Sequence, residues 1–376
     1  MPRILFLTTS HRYDDDRIFH HQAKELIKQG YEVKISSLSS DFEGELDGIS
    51  VKSQNILSAT VNVKKAFFDD VINDFEPHCI IASEPLAVIA AKDYNRRTKC
   101  KILYDVTEWY PSDRMLAVYS VFLRPLHYVK FSLIQLYAGF LSNGFIFGEK
   151  SKRQPLAQVF PFKPQILLPY FPDESLIFES VNELNPRNIT LCYTGTFSKD
   201  KGIDNFFNAV KSLRKMRPEH TISILLVGSA RPGDEDYFER LKTESAVHEL
   251  KILPPTSLEK FTENIAEADI CFDLRPATRE NHRCLPIKIF YYAAAGKPVI
   301  YTHLKAIGEH LNISKFGFTA DPENADEVAE RICQYLDDPK LYRKHAQNAV
   351  SYYKKDLNWN KISGIFVNFV KQFAPQ

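Results

Sequence analysis

The chain has 376 residues, 44% of them hydrophobic and 25% charged, which is length enough for two domains and excludes wholesale disorder, a collagen-like chain or a simple coiled coil. Its 48 Lys and Arg against 47 Asp and Glu leave a formal charge of +1, so there is no global field for gripping a polyphosphate backbone, and a dedicated nucleic-acid binder is disfavoured. Six scattered cysteines without a C-x-x-C pair read as reduced thiols rather than zinc or redox ligands, and the first residues lack the apolar core and cleavage site of a signal peptide, so a cytoplasmic location is expected.

In chain order, Ile4-Leu5-Phe6-Leu7 reads as a strand, His11 to Asp16 as a polar loop, and residues 18–29 as an amphipathic helix closed by Gly30. Strand-like runs recur at residues 31–36, at Cys79-Ile80-Ile81-Ala82 and at Lys101-Ile102-Leu103-Tyr104, with an apolar segment at 86–91 between the last two. Alternation of this kind predicts a parallel sheet with right-handed crossovers. A second copy of the pattern starts near Asn188: Ile189 to Tyr193, then Thr194-Gly195-Thr196, then a helix over 203–215, with strands at 222–227, 250–253, 269–274 and 298–301. Residues 168–188 are proline-rich and weakly periodic and read as the linker. The expected organisation is a first domain over 1–170, joined by a terminal helix at about 357–376, and a second over 188–355. Both are doubly wound, so a ligand is expected in a cleft at the carboxyl ends of their strands.

Residues 193–202 lie between a strand and a helix and carry Lys199, Lys201 and Gly195, a set suited to a phosphate group, though an ordinary strand-to-helix turn with solvated lysines fits the same residues equally well. The loop 275–285 adds Arg275, Arg279 and Arg283 ahead of a short helix, suited to bidentate contact with phosphate or carboxylate; a structural helix with a basic loop is the alternative. Glu84 and Glu108 follow apparent strand ends on the first-domain side, and Trp109 and Tyr110 are placed to stack on a sugar ring or to pack their loop. No acidic residue occurs from 115 to 147, where Arg124, His127 and Lys130 interrupt an apolar run. A buried helix is the first expectation there, and a membrane-facing surface the functional alternative. Asp14-Asp15-Asp16 precedes a helix, where Asp is favoured as a cap, and is not read as a metal motif; adjacent His20 and His21 lack the spacing of a zinc pair.

The run Leu285-Pro286-x-Lys288-x-Phe290-x-Tyr292-x-Ala294-x-Gly296-Lys297-Pro298-Val299-Ile300 resembles the donor-site helix of retaining GT-B glycosyltransferases, especially glycosyltransferase family 4. Asp16-Arg17-Ile18, Gly30-Tyr31-Glu32-Val33, Tyr104 to Pro111 and Lys201-Gly202 fall in the family's order, so the resemblance spans almost the whole chain. It implies a GT-B fold and transfer of a sugar from a nucleotide-diphosphate donor to a glycan or lipid-linked saccharide, in surface-polysaccharide assembly and without a metal or other cofactor. On the donor side it points to Gly195, Thr196, Lys199, Lys201, Arg275, Arg283, Pro286, Lys288 and Tyr291. It points to His11, Arg17, Glu84 and Trp109 on the acceptor side, and to Thr107 and Glu108 at the reacting centre.

This sequence departs from the family pattern at four places. The family's E-x7-E carboxylates fall on Arg283 and Tyr291, its D-x-H-E histidine on Thr107, and its phosphate-loop arginine on Thr196. A catalytically degenerate GT-B protein supporting an active partner is therefore the second expectation, and a nucleotide-sugar epimerase the third. Nucleotide sugar, glycan or lipid-linked acceptor, and peripheral membrane contact through about 115–141 are the expected partners.

Overall fold

The computed structural model describes residues 1–375 apart from Trp109, Pro186 and 246–248, and leaves the side chains of Arg114 and Ser245 undescribed. The chain divides into two units, Met1–Tyr170 with Asn360–Gln376, and Phe171–Trp359. The first is built on strands β1 (Arg3–Thr8), β2 (Glu32–Ser37), β3 (Phe42–Leu46), β4 (Ile49–Ser53), β5 (Cys79–Ala82), β6 (Lys101–Val106), β7 (Gly144–Phe147) and β8 (Gln165–Leu167). They are ordered β3-β4-β2-β1-β5-β6-β7-β8, parallel except for β3. The central strands are buried on both faces, which is why they read as continuous apolar runs rather than as alternation. Leu5, Leu7, Ile80, Ile102, Tyr104 and Phe145 pack against Phe68, Val71 and Ile72 of helix Val61–Phe75.

Three features of this unit depart from the sequence expectations. The helix read over 18–29 begins as a π-helix, Asp16–Ala23, before continuing as Lys24–Lys28. His21 Nδ1 bonds the Asp16 carbonyl five residues back (2.8 Å), a side-chain contact that favours the wider winding. An edge hairpin, β3–β4, turns at Asp47-Gly48, both at positive φ (51° and 78°), the geometry that Asp-Gly sequences favour. The third is helix Arg124–Leu141, expected to be buried: only Ala138 and Gly139 of it are. Its stripe of large apolar side chains faces water, and only the end of the helix at Ala138 reaches the core. Among the described residues no helix is long and apolar enough to cross a membrane.

The second unit carries β9 (Asn188–Phe197), β10 (Thr221–Ala230), β11 (Glu249–Leu253), β12 (Ile270–Asp273), β13 (Val299–Thr302) and β14 (Gly317–Ala320), all parallel and ordered β11-β10-β9-β12-β13-β14. Both units are thus doubly wound, and the strand order reverses at β1/β5 in the first and at β9/β12 in the second. Such switch points open a crevice at the carboxyl ends of the strands.

Residues 171–185, within the stretch read as a linker, are packed onto the second unit. Phe178 N donates to Thr262 Oγ1 (2.8 Å), Ser180 N to Ala295 O (3.0 Å), and Asn182 Nδ2 to the carbonyls of Ala266 and Ala268 (3.1 and 3.0 Å). Lys297 fastens the segment: fully buried, its amine donates to Ser180 O (2.5 Å) and Ala266 O (2.7 Å). Proline content marked an irregular path without showing that its backbone groups are satisfied by the domain. Lys297→Met keeps the bulk but removes the amine's bond to Ser180 O, while Ala266 O keeps Asn182 Nδ2, and is expected to destabilise the second unit by about 1–3 kcal/mol, seen as a lower urea midpoint.

Candidate functional site

The candidate donor residues gather at the β9/β12 switch point. β9 ends in Thr194-Gly195-Thr196-Phe197, and a 3-10 turn, Lys199–Lys201, leads through Gly202 into helix Ile203–Met216. Tyr193 holds this loop from below, its phenol donating to Lys201 O (2.9 Å) and lying 3.3 Å from Thr196 O. Gly202, at φ 79°, lies so close to β12 that a Cβ would stand 2.1 Å from Leu274 O, which makes glycine obligatory there. The outcome is a tightly held loop with Thr196 and Lys199 exposed and Lys201 at 40% side-chain exposure.

Lys288 enters the same place from helix Lys288–Ala294. Its amine donates to Thr194 O and occupies the space a Cβ at Gly195 would need, at 2.9 Å. Gly195 therefore makes room for a protein amine as well as for any ligand. Burial pulls the Lys288 pKa down to about 8; nearby Arg275 and Lys201 act in the same direction, and Asp273 opposes them.

The remaining donor candidates lie differently. Arg275 is buried, with Nε and Nη2 forked onto Asp273 Oδ1 (2.7 Å) and Oδ2 (2.5 Å) and Nη1 3.6 Å from Cys284 Sγ, so its guanidinium is spent within the protein. Arg283 is half-buried in the turn Asn281–Arg283, and Pro286 is buried just ahead of the helix. Tyr291 is 1% exposed and packs edge-on against Phe261 at 5.6 Å, so its side chain belongs to the core. Sequence reading passed over Arg231, just beyond β10. Its Nη2 donates to Asp200 Oδ1 and Oδ2 (2.7 and 2.9 Å) and to Ser198 Oγ (3.2 Å), so its charge is matched by Asp200 and it braces the turn that carries Lys199 and Lys201. The available signal was an arginine directly after a strand that ends beside β9.

At the β1/β5 switch point of the first unit, Glu84 is already saturated. Its carboxylate accepts from Thr9 N (2.8 Å), Ser10 N (3.1 Å) and Ser10 Oγ (2.5 Å), with Thr8 Oγ1 at 3.3 Å, so it clasps the loop after β1. His11 sits beside it, Nδ1 3.1 Å from Asp15 Oδ2, and Nε2 3.1 Å from Thr107 Oγ1 and 3.8 Å from Glu84 Oε1. Burial opposes its charge, but the Asp15 hydrogen bond and the charges of Asp15, Glu84 and Glu108 win and raise its pKa to about 9. Thr107 is buried and Glu108 exposed, and Lys152, which the sequence reading did not single out, donates to the Thr107 carbonyl. Trp109 lies outside the described residues.

Arg17 does not face this group. It is 3% exposed, forked onto Asp105 (2.7 and 2.8 Å), bonded to Leu168 O (2.7 Å) and stacked over Tyr170. Asp105→Ala would leave this guanidinium buried without its counter-ion, so a loss of about 3–5 kcal/mol is expected in a denaturant melt. On the donor side, the Lys288 amine is charged below about pH 8 and neutral above it. Affinity for a diphosphate is expected to fall severalfold between about pH 7 and pH 9 in calorimetric titrations, and Lys288→Met should remove that dependence.

Three comparisons bear on this geometry. Residues 188–338 match the family model described as glycosyl transferases group 1. A curated relative, glycogen synthase of Mycobacterium tuberculosis, is 22% identical over 173 residues, and the match covers 46% of this chain and 40% of that protein's length. Among solved structures, sucrose-phosphate synthase from Thermosynechococcus elongatus superposes with a TM-score of 0.76 at 14% identity, covering 99% of both chains. Anabaena HepE in complex with UDP and glucose does so at 0.67 and 16% identity, covering 98% of this chain and 99% of that one. WaaG, a glycosyltransferase involved in lipopolysaccharide biosynthesis, gives 0.66 at 16%, with 97% and 99% covered. The chain therefore has the GT-B fold of two Rossmann-like units, and the family match lies within its second unit.

Proposed function

We propose that the protein is a retaining glycosyltransferase that moves a sugar from a nucleotide-diphosphate donor to a glycan or lipid-linked saccharide in cell-surface polysaccharide biosynthesis. The observation that carries this reading is the set of lysines at the carboxyl end of β9, Lys199, Lys201 and Lys288, within the segment that matches the family. Several structural neighbours were solved with UDP or a UDP-sugar, which supports a nucleotide sugar and makes UDP the first ligand to try.

In this reading the second unit binds the donor diphosphate. As the bond from the anomeric carbon to the phosphate oxygen breaks, negative charge grows on the leaving group, and the fixed cations stabilise it. That is the work a metal ion would do, so the proposal includes no metal or other cofactor. The acceptor oxygen bonds to the anomeric carbon on the face the diphosphate leaves, and its proton passes to the departing phosphate oxygen. Thr107 and Glu108, with the charged imidazole of His11, are the first-unit groups assigned to the sugars. The protein is placed in the cytoplasm, with peripheral contact at the inner membrane face through about residues 115–141.

One observation favours a second reading, a non-catalytic GT-B protein that binds a glycan and supports an active partner. Arg283 and the buried Tyr291 stand where the resemblance calls for carboxylates. Calorimetric titration with UDP, GDP, ADP and CDP separates the two. The transferase reading expects saturable binding of one nucleotide, weakened about tenfold in Lys201→Ala, a loss of about 1.4 kcal/mol. At a hundred times its dissociation constant that ligand should stabilise the fold by about 2.7 kcal/mol. A folded protein that binds none of the four and releases no nucleotide from the corresponding sugars would favour the non-catalytic reading.

A further inference from the structure

A stripe of large apolar side chains runs along helix Arg124–Leu141 and faces water. Leu126, Val129, Leu133, Tyr137 and Phe140 recur at steps of three and four residues, so they share one face of the helix, and Phe122 continues the series one step ahead of it. Their exposures are 66%, 54%, 60%, 40% and 70%, and that of Phe122 is 95%. At the far end Lys163 donates to the carbonyls of Gly139 and Phe140 (2.8 Å each) and of Ser142. That anchor fixes the turn carrying Phe162, which is 98% exposed, at the Phe140 end of the stripe. A stripe of this length exceeds the scattered apolar exposure of an ordinary protein surface.

The chain around it is predominantly basic, with one exposed acid, Asp113, on the short helix Asp113–Ala117 that precedes it. Residues 114–172 contain seven Lys and Arg and a single acid, Glu149, which is buried and paired with Lys152 at 3.1 Å. Lys130, Lys150 and Arg153 are exposed.

We infer that this face docks on an anionic lipid bilayer, with the helix lying in the plane of the interface, its stripe with Phe122 and Phe162 entering the acyl boundary, and the flanking basic side chains meeting the headgroups. The inference rests on the membrane contact in the proposed function and makes it specific. The partner is anionic lipid, and the contact is one helix face plus the Phe162 turn rather than the whole stretch 115–141. Charge decides between occupants. A second copy of this chain would set two predominantly basic surfaces against each other, which like-charge repulsion opposes, whereas an anionic bilayer satisfies both the stripe and its flanks.

The test is co-sedimentation of the full chain with vesicles of phosphatidylcholine alone or mixed with phosphatidylglycerol, with light scattering and nucleotide titration on the same samples. Binding to the anionic vesicles only, weakened severalfold by raised salt, is expected. Phe122→Ser with Phe162→Ser should lower that binding at least about tenfold, and Lys130→Glu with Arg153→Glu by a similar factor, without changing oligomeric state or nucleotide affinity. These side chains are exposed, so the variants keep the fold. Binding to neither vesicle would overturn the proposal, as would a wild-type dimer that the phenylalanine variants convert to monomer. Vesicle binding by a protein that takes no nucleotide would uphold the docking and sink the donor reading alone.

Discussion

The buried pair of Asp273 and Arg275 is the constraint on which the candidate donor site depends. It closes the end of β12 and fixes the backbone of Leu274 and Arg275, and several elements are built against that backbone. Gly202 packs its Cα against Leu274 O, Asn205 Nδ2 donates to the same carbonyl (2.9 Å), and Thr302 Oγ1 donates to Arg275 O (2.8 Å). The phosphate loop, the first turn of helix Ile203–Met216 and the end of β13 therefore share one anchor. An ion pair at this depth gains little net energy over an apolar replacement, because both charges have been taken out of water. Its contribution is geometric. It sets the loop that carries Lys199 and Lys201 against the amine of Lys288.

The first unit uses its charges in the same way. Arg17 and Asp105 tie the π-helix to the end of β6 and to Leu168, while Glu84 gathers the loop after β1. These charged groups serve the backbone, and the group left at the switch point is His11 with Thr107. A protonated imidazole held between carboxylates is a fixed donor rather than a proton acceptor at neutral pH, since its pKa is raised to about 9. A part in orienting a sugar hydroxyl suits that charge state better than general-base chemistry does.

Much of the fold was legible because strands buried on both faces leave uninterrupted apolar runs, as at Ile4-Leu5-Phe6-Leu7 and Cys79-Ile80-Ile81-Ala82. β3, β4, β7, β8 and β14 were not read. β3 is a polar edge strand, and β8 has only three half-buried residues. In the site, residue type named the candidates, but partner geometry separated them. Arg275 and Lys288 look alike as basic residues near a loop, yet one is locked to a carboxylate two residues away and the other ends at a main-chain carbonyl. Asp273-x-Arg275 at a strand end was a readable hint of the first case. No comparable hint existed for Glu84, whose partners come from residues 8–10.

Composition misleads most where charge is segregated. A formal charge of +1 describes a chain with no field, yet residues 114–172 are strongly basic and the remainder is correspondingly acidic. Ionic attraction is screened over about 8–10 Å at physiological salt, so a partner responds to the local patch and not to the total. The apolar content of that segment was open to the same error. Its hydrophobic residues suggested burial, but their three-and-four spacing says only that they share a face. Which side of the helix the sheet covers decides between core and surface. Here the helix reaches the core at Ala138, and Gly139 lies against Phe160, while the bulky stripe is left outside.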